Sequence, residues 1–196
     1  MNKTAPWNAL PWQRFGLFLL VLLVFANMVW SAWLCDDAFI SFRHIYNAVH
    51  GHGLTFNPIE RVQAYTHPLW VLLLTPLYAL TRDMGYTPML FSLLVSGAAM
   101  LVMLRNVRYQ FAVASLVLLG ALASRSFMDY TASGLENPLT YLCLALFLGE
   151  WVGRRRSFAL ALIAGLCVTN RLDTALFFAF PLLLQLWENR SWRTLG

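Results

Sequence analysis

Two adjacent carboxylates, Asp36 and Asp37, follow directly on an uncharged run that extends from Phe15 to Leu34. Charge beside a hydrocarbon layer is costly unless a cation, a polar cavity or a reaction requires it. One carboxylate could deprotonate a hydroxyl group, and the other could cap the helix that follows. Asp36 is placed to act as the N-cap, so Asp37 is favoured as the base, although the sequence leaves the assignment within the pair open.

The carboxylates open the long polar insertion of the sequence, residues 35–67, which we define as the first outer loop. Its first half predicts a short surface helix that ends at Gly51. The apolar face of this helix is predicted to consist of Phe39, Phe42, Tyr46 and Val49, and the face toward the lumen of Ser41, His44 and Asn47.

Cations and imidazoles also lie in this loop. A planar guanidinium at Arg43 or Arg61 would suit a lipid phosphate, and a salt bridge to a nearby carboxylate is the alternative for both. A zinc site needs three or four close ligands, which the loop does not supply, so no metal site is predicted. We expect His67, and also His44 and Tyr65, to form hydrogen bonds with a substrate.

Two later segments carry charge between apolar runs. Glu136 lies in the turn Ser133 to Pro138, which leads into a predicted helix. Arg171 and Asp173 lie next to each other in the segment Thr169 to Asp173. Each segment could form a cap or an ion pair, or it could contribute to substrate binding.

The composition indicates that membrane-spanning helices position these residues. The chain has 196 residues, of which 59% are hydrophobic and 12% charged, and its mean hydropathy is +0.60. These values predict an all-α polytopic membrane protein in contact with the lipid bilayer. After the first span, the apolar runs are Pro68 to Leu80, Pro88 to Leu104, Phe111 to Ala123, Pro138 to Gly149, Phe158 to Val168 and Thr174 to Trp187. A cleaved signal peptide is disfavoured because the first run is too long and lacks a small-residue cleavage site.

Basic residues choose between two topologies. A helix from Pro68 to Leu80 covers about 20 Å, which is too short for a hydrocarbon layer of about 30 Å. If it does not cross, nine of the 14 Lys and Arg residues lie in the cytoplasm and five outside; if it crosses, the ratio reverses. Because cytoplasmic loops carry the excess of basic residues, we predict that it does not cross and that the N-terminus is cytoplasmic. The net charge of +5 therefore reflects topology, and no nucleic-acid partner is predicted.

The motifs resemble those of bacterial GT-C fold glycosyltransferases, in particular the terminal arabinofuranosyltransferases of mycobacteria and the pilin arabinosyltransferases. The residues that carry the resemblance are Asp36 to Arg43, Gly51 to Pro58, Glu60 to Trp70, Ser133 to Glu136 and Arg171 to Asp173. The resemblance implies a GT-C-like transmembrane helix bundle in a bacterial inner membrane, with surface helices in the first outer loop. Such enzymes usually run to several hundred residues, so residues 1–196 are expected to form a single transmembrane module at the N-terminal end of a longer enzyme.

The resemblance also implies an inverting transfer of a sugar, such as arabinofuranose, on the periplasmic side. The donor would be a polyprenyl-phosphate-linked sugar, and the acceptor a glycan or a protein. An Asp at the start of the first outer loop would act as base, and no cofactor is expected, with a divalent metal left open. A transporter is the alternative, although its ionisable residues would lie near mid-span. An inactive remnant or an assembly subunit is a third hypothesis.

Overall fold

The computed structural model describes residues 10–60 and 62–193, and this part of the chain is all-α. Its helices are α1 (Pro11–Trp30), α2 (Ala38–Val49), α3 (Pro68–Thr81), α4 (Tyr86–Asn106), α5 (Phe111–Ala123), α6 (Arg125–Asp129), α7 (Asn137–Val152), α8 (Ser157–Asn170) and α9 (Ala175–Arg193). A 3-10 turn, Leu172–Thr174, joins α8 to α9. Of the described helices, α1 and α4 are long and apolar enough to cross a membrane.

Neighbouring helices pack around three apolar clusters. The first joins α1, α4 and α5, with Val24, Met100 and Leu118 buried in it. The second lies between α2 and α3, around Ile45 and Trp70. The third joins α7, α8 and α9. Helices α4 and α7 also pack along each other.

The short helix α3 contacts α4 near the start of α4. Near its start, the Trp70 ring stacks on Phe91 with ring centroids 5.3 Å apart. At its end, the hydroxyls of Thr81 and Thr87 are 2.7 Å apart. The two contact points on α4 are separated by about 6 Å of rise, whereas Trp70 and Thr81 are separated by about 17 Å along α3. Helix α3 therefore does not run alongside α4 for its full length.

The surface helix predicted in the first outer loop is present as α2, but its packing differs from the prediction. Of the four residues predicted to form its apolar face, Phe42 and Val49 pack toward α3, whereas Phe39 and Tyr46 are exposed. Ala38 and Ile45 take their places in the contact with α3. The apolar stripe is thus rotated around the helix relative to the one predicted.

The prediction that Ser41, His44 and Asn47 face the lumen is wrong for His44 and Asn47, which are buried within the fold; Ser41 is buried too, but it lines a polar cavity. The Asn47 amide donates hydrogen bonds to the carbonyl oxygens of Thr55 and Phe56, at 2.8 and 3.0 Å. His44 contacts the Ile40 carbonyl through Nδ1 at 2.8 Å and accepts from the backbone N–H of Ala64 through Nε2 at 3.3 Å. The polar face of α2 therefore holds the following segment of the loop.

Candidate functional site

A polar cavity of about 500 Å³ collects residues from five separate parts of the chain. They come from the start of α2, the segment before α3, the region of α6, the region around the start of α7 and the end of α8. Its polar side chains belong to Asp37, Ser41, Thr66, His67, Ser126, Tyr130, Glu136, Asn137, Tyr141 and Arg171. Among the described residues, Arg171 is the cation that lines it.

The structure separates the two adjacent carboxylates. Both are exposed, but Asp37 lines the cavity and Asp36 does not. Helix α2 begins at Ala38, so the N-cap position belongs to Asp37, and the expectation that Asp36 occupies it is wrong. The Asp37 side chain makes no capping hydrogen bond. Its carboxylate therefore does not bond to the backbone N–H groups at the start of α2.

Local sequence places His67 at the cavity wall. The residue before a proline is biased toward extended backbone, and Pro68 occupies the first turn of α3, where its missing N–H costs nothing. His67 Nε2 lies 2.6 Å from the Ser41 hydroxyl, and Nδ1 lies 3.4 Å from Oε2 of Glu136. The imidazole therefore joins α2 to the start of α7.

Burial lowers the pKa of His67 below its ordinary value of 6.5. The Glu136 carboxylate opposes this shift, and the Arg171 guanidinium adds to it. His67 is thus neutral at pH 7. A histidine whose pKa is lowered by folding contributes its full stability above 6.5, and that contribution is lost as the pH falls from 6.5 toward the folded-state pKa.

A tight turn positions Glu136. Gly134 has a φ of +79°, which a glycine adopts readily. Its carbonyl accepts a hydrogen bond from the Trp70 indole at 2.8 Å, and the carbonyl of Ser133 accepts one from the Cys35 N–H at 2.9 Å. These bonds tie the turn to both ends of the first outer loop, and α7 starts immediately after Glu136.

Arg171 connects Glu136 to the last predicted site residue. Its Nη1 lies 3.3 Å from Glu136 Oε1 and 3.1 Å from Asn137 Oδ1. Its Nε lies 2.9 Å from Asp173 Oδ1, which confirms the ion pair considered for these two residues. These contacts use Nε and Nη1, and Nη2 takes part in none of them. Asp173 does not line the cavity, but its ion pair holds the Arg171 guanidinium in place.

Other predicted site residues lie away from the cavity lining. Arg43 donates from Nε to the Phe56 carbonyl at 2.8 Å and from Nη2 to Asn57 at 3.3 Å, and it stacks over the Phe56 ring. Both ring nitrogens of His44 are used within the fold, which leaves it neither nitrogen for a substrate. The prediction for Arg61 lies outside the described residues.

Tyr65 lines a second, neighbouring cavity of about 400 Å³, together with His52, Thr55 and Gln63. The segment 62–66 forms a wall between the two cavities: Gln63 and Tyr65 line the second, and Ala64 and Thr66 line the first. The described residues contain no group of three or more His, Cys, Asp or Glu side chains that could hold a metal ion.

Sequence reasoning missed several residues of the cavity. Ser41 was assigned only to a polar helix face, although it lies four residues after Asp37, a spacing that puts two side chains on one face of a helix. Ser126, Tyr130 and Tyr141 also line the cavity. Nothing in their spacing distinguishes them from ordinary residues at helix ends.

The chain is similar in sequence to a known glycosyltransferase. It is 29% identical over 209 aligned positions to the terminal β-(1→2)-arabinofuranosyltransferase of Mycobacterium tuberculosis. The alignment covers 92% of this chain and 33% of the mycobacterial protein, so the chain spans about a third of the length of that relative. No family model matches the chain, and no solved structure matches it.

Proposed function

We propose that the chain forms the catalytic end of an inverting membrane glycosyltransferase, which moves a sugar such as arabinofuranose from a polyprenyl-phosphate donor to a hydroxyl acceptor. The observation that carries the proposal is the cavity that holds Asp37 and Arg171 together. Sequence similarity to an arabinofuranosyltransferase supports this chemistry over transport.

Each step of the transfer has a residue suited to it. The acceptor oxygen attacks the anomeric carbon while its proton passes to the Asp37 carboxylate. The bond from the anomeric carbon to the phosphate oxygen breaks, and the lipid phosphate leaves with the electron pair. Attack from the side opposite the phosphate inverts the anomeric centre. Arg171 attracts the phosphate, whose negative charge grows during departure.

An orientation with this cavity on the outer face agrees with the distribution of charge. At the far end of α7 from Glu136, Arg156 pairs with Glu150 at 2.9 Å, and Arg155 pairs with Glu188 at 3.3 Å. Glu136 and Glu150 are separated by about 21 Å of helix. An Arg-rich end in the cytoplasm is the arrangement that the positive-inside tendency favours, and it puts the cavity outside.

The decisive experiment compares the two adjacent carboxylates in the purified chain, reconstituted in lipid and supplied with a labelled polyprenyl-phosphoryl arabinofuranose donor. Asp37→Asn removes the base while keeping the side-chain size, so turnover should fall by at least about 100-fold with donor binding retained. Asp36→Asn is the matched control and should keep parental turnover, because Asp36 does not line the cavity. Near-parental turnover of Asp37→Asn would overturn the assignment of the base, and the absence of any transfer by the parental chain would count against the proposed function.

A further inference from the structure

Ser41 is a nearly buried hydroxyl that borders the cavity. Its side chain comes from the first turns of α2, and the residue is 1% exposed. Its partner His67 is itself 8% exposed, and the two side chains meet at 2.6 Å. Such a short contact between neutral groups indicates a well-formed hydrogen bond.

The contacts of His67 decide which way this hydrogen bond runs. We assign the proton to Nδ1, the ring nitrogen 3.4 Å from Oε2 of Glu136, because a lone pair at that position would face the carboxylate oxygen. In a neutral imidazole the other nitrogen, Nε2, then has a free lone pair. The Ser41 O–H therefore donates to Nε2, and the hydroxyl oxygen has only lone pairs left to offer a ligand. Ser41 meets the cavity as a hydrogen-bond acceptor.

A second acceptor lies one helical turn away. Asp37 and Ser41 are separated by four residues and line the same cavity together with Ile40, as expected for one face of a helix. Side chains at this spacing have Cβ atoms about 5–6 Å apart. Two hydroxyls on neighbouring carbons can span this gap, since each hydroxyl reaches its own acceptor through a hydrogen bond of about 2.7–2.8 Å.

We propose that Ser41 determines acceptor specificity by accepting a hydrogen bond from the hydroxyl next to the one that reacts at Asp37. The acceptor is then a sugar with two neighbouring hydroxyls and not an isolated alcohol such as a serine side chain of a protein. His67 is a positioning residue. It lies between Glu136 and Ser41, and it fixes the direction of the Ser41 hydroxyl. This inference rests on the proposed transfer reaction and deepens it.

The experiment compares two acceptors in four versions of the chain. One acceptor is methyl arabinofuranoside, whose 2- and 3-hydroxyls are neighbours, and the other is its 3-deoxy analogue. The 2-hydroxyl is taken as the reacting group because the similar transferase is named for a 1→2 linkage. The versions are the parent, Ser41→Ala, Ser41→Cys and Ser126→Ala, and kcat/KM and acceptor Kd are measured for each.

In the parent, loss of the 3-hydroxyl should lower kcat/KM about tenfold. In Ser41→Ala that difference should shrink to less than about twofold, because the partner of the 3-hydroxyl is gone. Ser41→Cys keeps the approximate size but offers a weak acceptor, so it should show the same loss of discrimination even if the alanine variant folds poorly. Ser126→Ala makes the same substitution at another serine of the cavity and should keep the tenfold difference.

Discrimination that survives in both Ser41 variants would overturn this inference, since a merely structural serine would lower the rates for both acceptors equally. A parent that transfers sugar equally well to both acceptors would also overturn it, while leaving the proposed transferase intact. The parent could also transfer sugar to neither acceptor and yet bind methyl arabinofuranoside more tightly than its 3-deoxy analogue. If that difference in Kd disappeared in the Ser41 variants, the result would support the inference and count against the proposed activity.

Discussion

Gly134 is the position where a single added methyl group should have the largest effect on the cavity. Its backbone φ of +79° lies in the left-handed region, where an L side chain is strained. A Cβ added there would lie 2.9 Å from Leu34 Cδ2, 3.0 Å from Phe42 Cζ and 3.2 Å from Ala38 Cβ. Gly134→Ala therefore combines backbone strain with overpacking at the turn that positions Glu136.

Both costs can be assigned a size. Left-handed backbone costs an alanine about 1–2 kcal/mol, and an extra methyl in a packed site costs about 1–3 kcal/mol. The free energy of unfolding should fall by about 2–5 kcal/mol in total. In a chain of this size each 1 kcal/mol lowers the unfolding temperature by about 2–4 °C, so the decrease should be at least about 4 °C.

Two other glycines separate the two contributions. Gly51 has a φ of +82° with nothing within 4 Å of its added Cβ, so Gly51→Ala should show the strain alone. Gly165 lies in α8 with no left-handed φ and no nearby atom, so Gly165→Ala should be neutral or slightly stabilising. Thermal unfolding of the purified variants, followed by circular dichroism in detergent, measures all three. An unfolding temperature of Gly134→Ala equal to that of Gly51→Ala would refute the claim that the turn is tightly packed.

The remaining predictions concern the donor, the imidazole and the topology. Arg171→Lys should weaken donor binding about tenfold, measured by titration, because an ammonium cannot reproduce the planar guanidinium contacts. Arg43→Lys is its control and should leave donor affinity unchanged, so equal losses in both variants would argue against a phosphate at Arg171. Lowering the pH from 7 to 5 should lower the unfolding temperature of the parent more than that of His67→Gln. The reason is that His67 has a lower pKa in the folded than in the unfolded chain, so protonation in this range favours unfolding. Parallel pH profiles of the two proteins would contradict this. In a cysteine-free background, Gln63→Cys should react with an impermeant thiol reagent from outside and Gly153→Cys should not. The reverse pattern would show that the topology is opposite to the one predicted.

Much of the helical fold is predictable because prolines, glycines and charges mark its boundaries. The apolar run Pro68 to Leu80 corresponds to α3, and Phe111 to Ala123 corresponds to α5. The turn that contains Gly134 leads into α7 as expected. These segments are long and strongly apolar, which is where sequence periodicity is most informative.

The inside of the first outer loop was harder to predict. A polar stripe on a helix shows that hydrogen-bond partners are needed, but it does not say whether water or backbone supplies them. Asn47 and His44 are satisfied by the backbone of residues 55–64, a partner that becomes apparent only once the chain has folded back. Arg43 is bound to the same segment, so the cation that lines the cavity comes instead from the distant residue Arg171.

The contacts that hold the first outer loop against α2 determine which residues of the loop can be substituted without changing its backbone path. Asn47, His44 and Arg43 bind the loop chiefly through main-chain atoms of Thr55, Phe56 and Ala64, which every residue except proline provides in full. Substitutions at the exposed positions Leu54, Val62 and Gln63 should therefore leave the path of the loop unchanged. Helix α2 therefore fixes the backbone path of the rim of the second cavity, while the side chains at these positions can vary independently of that path.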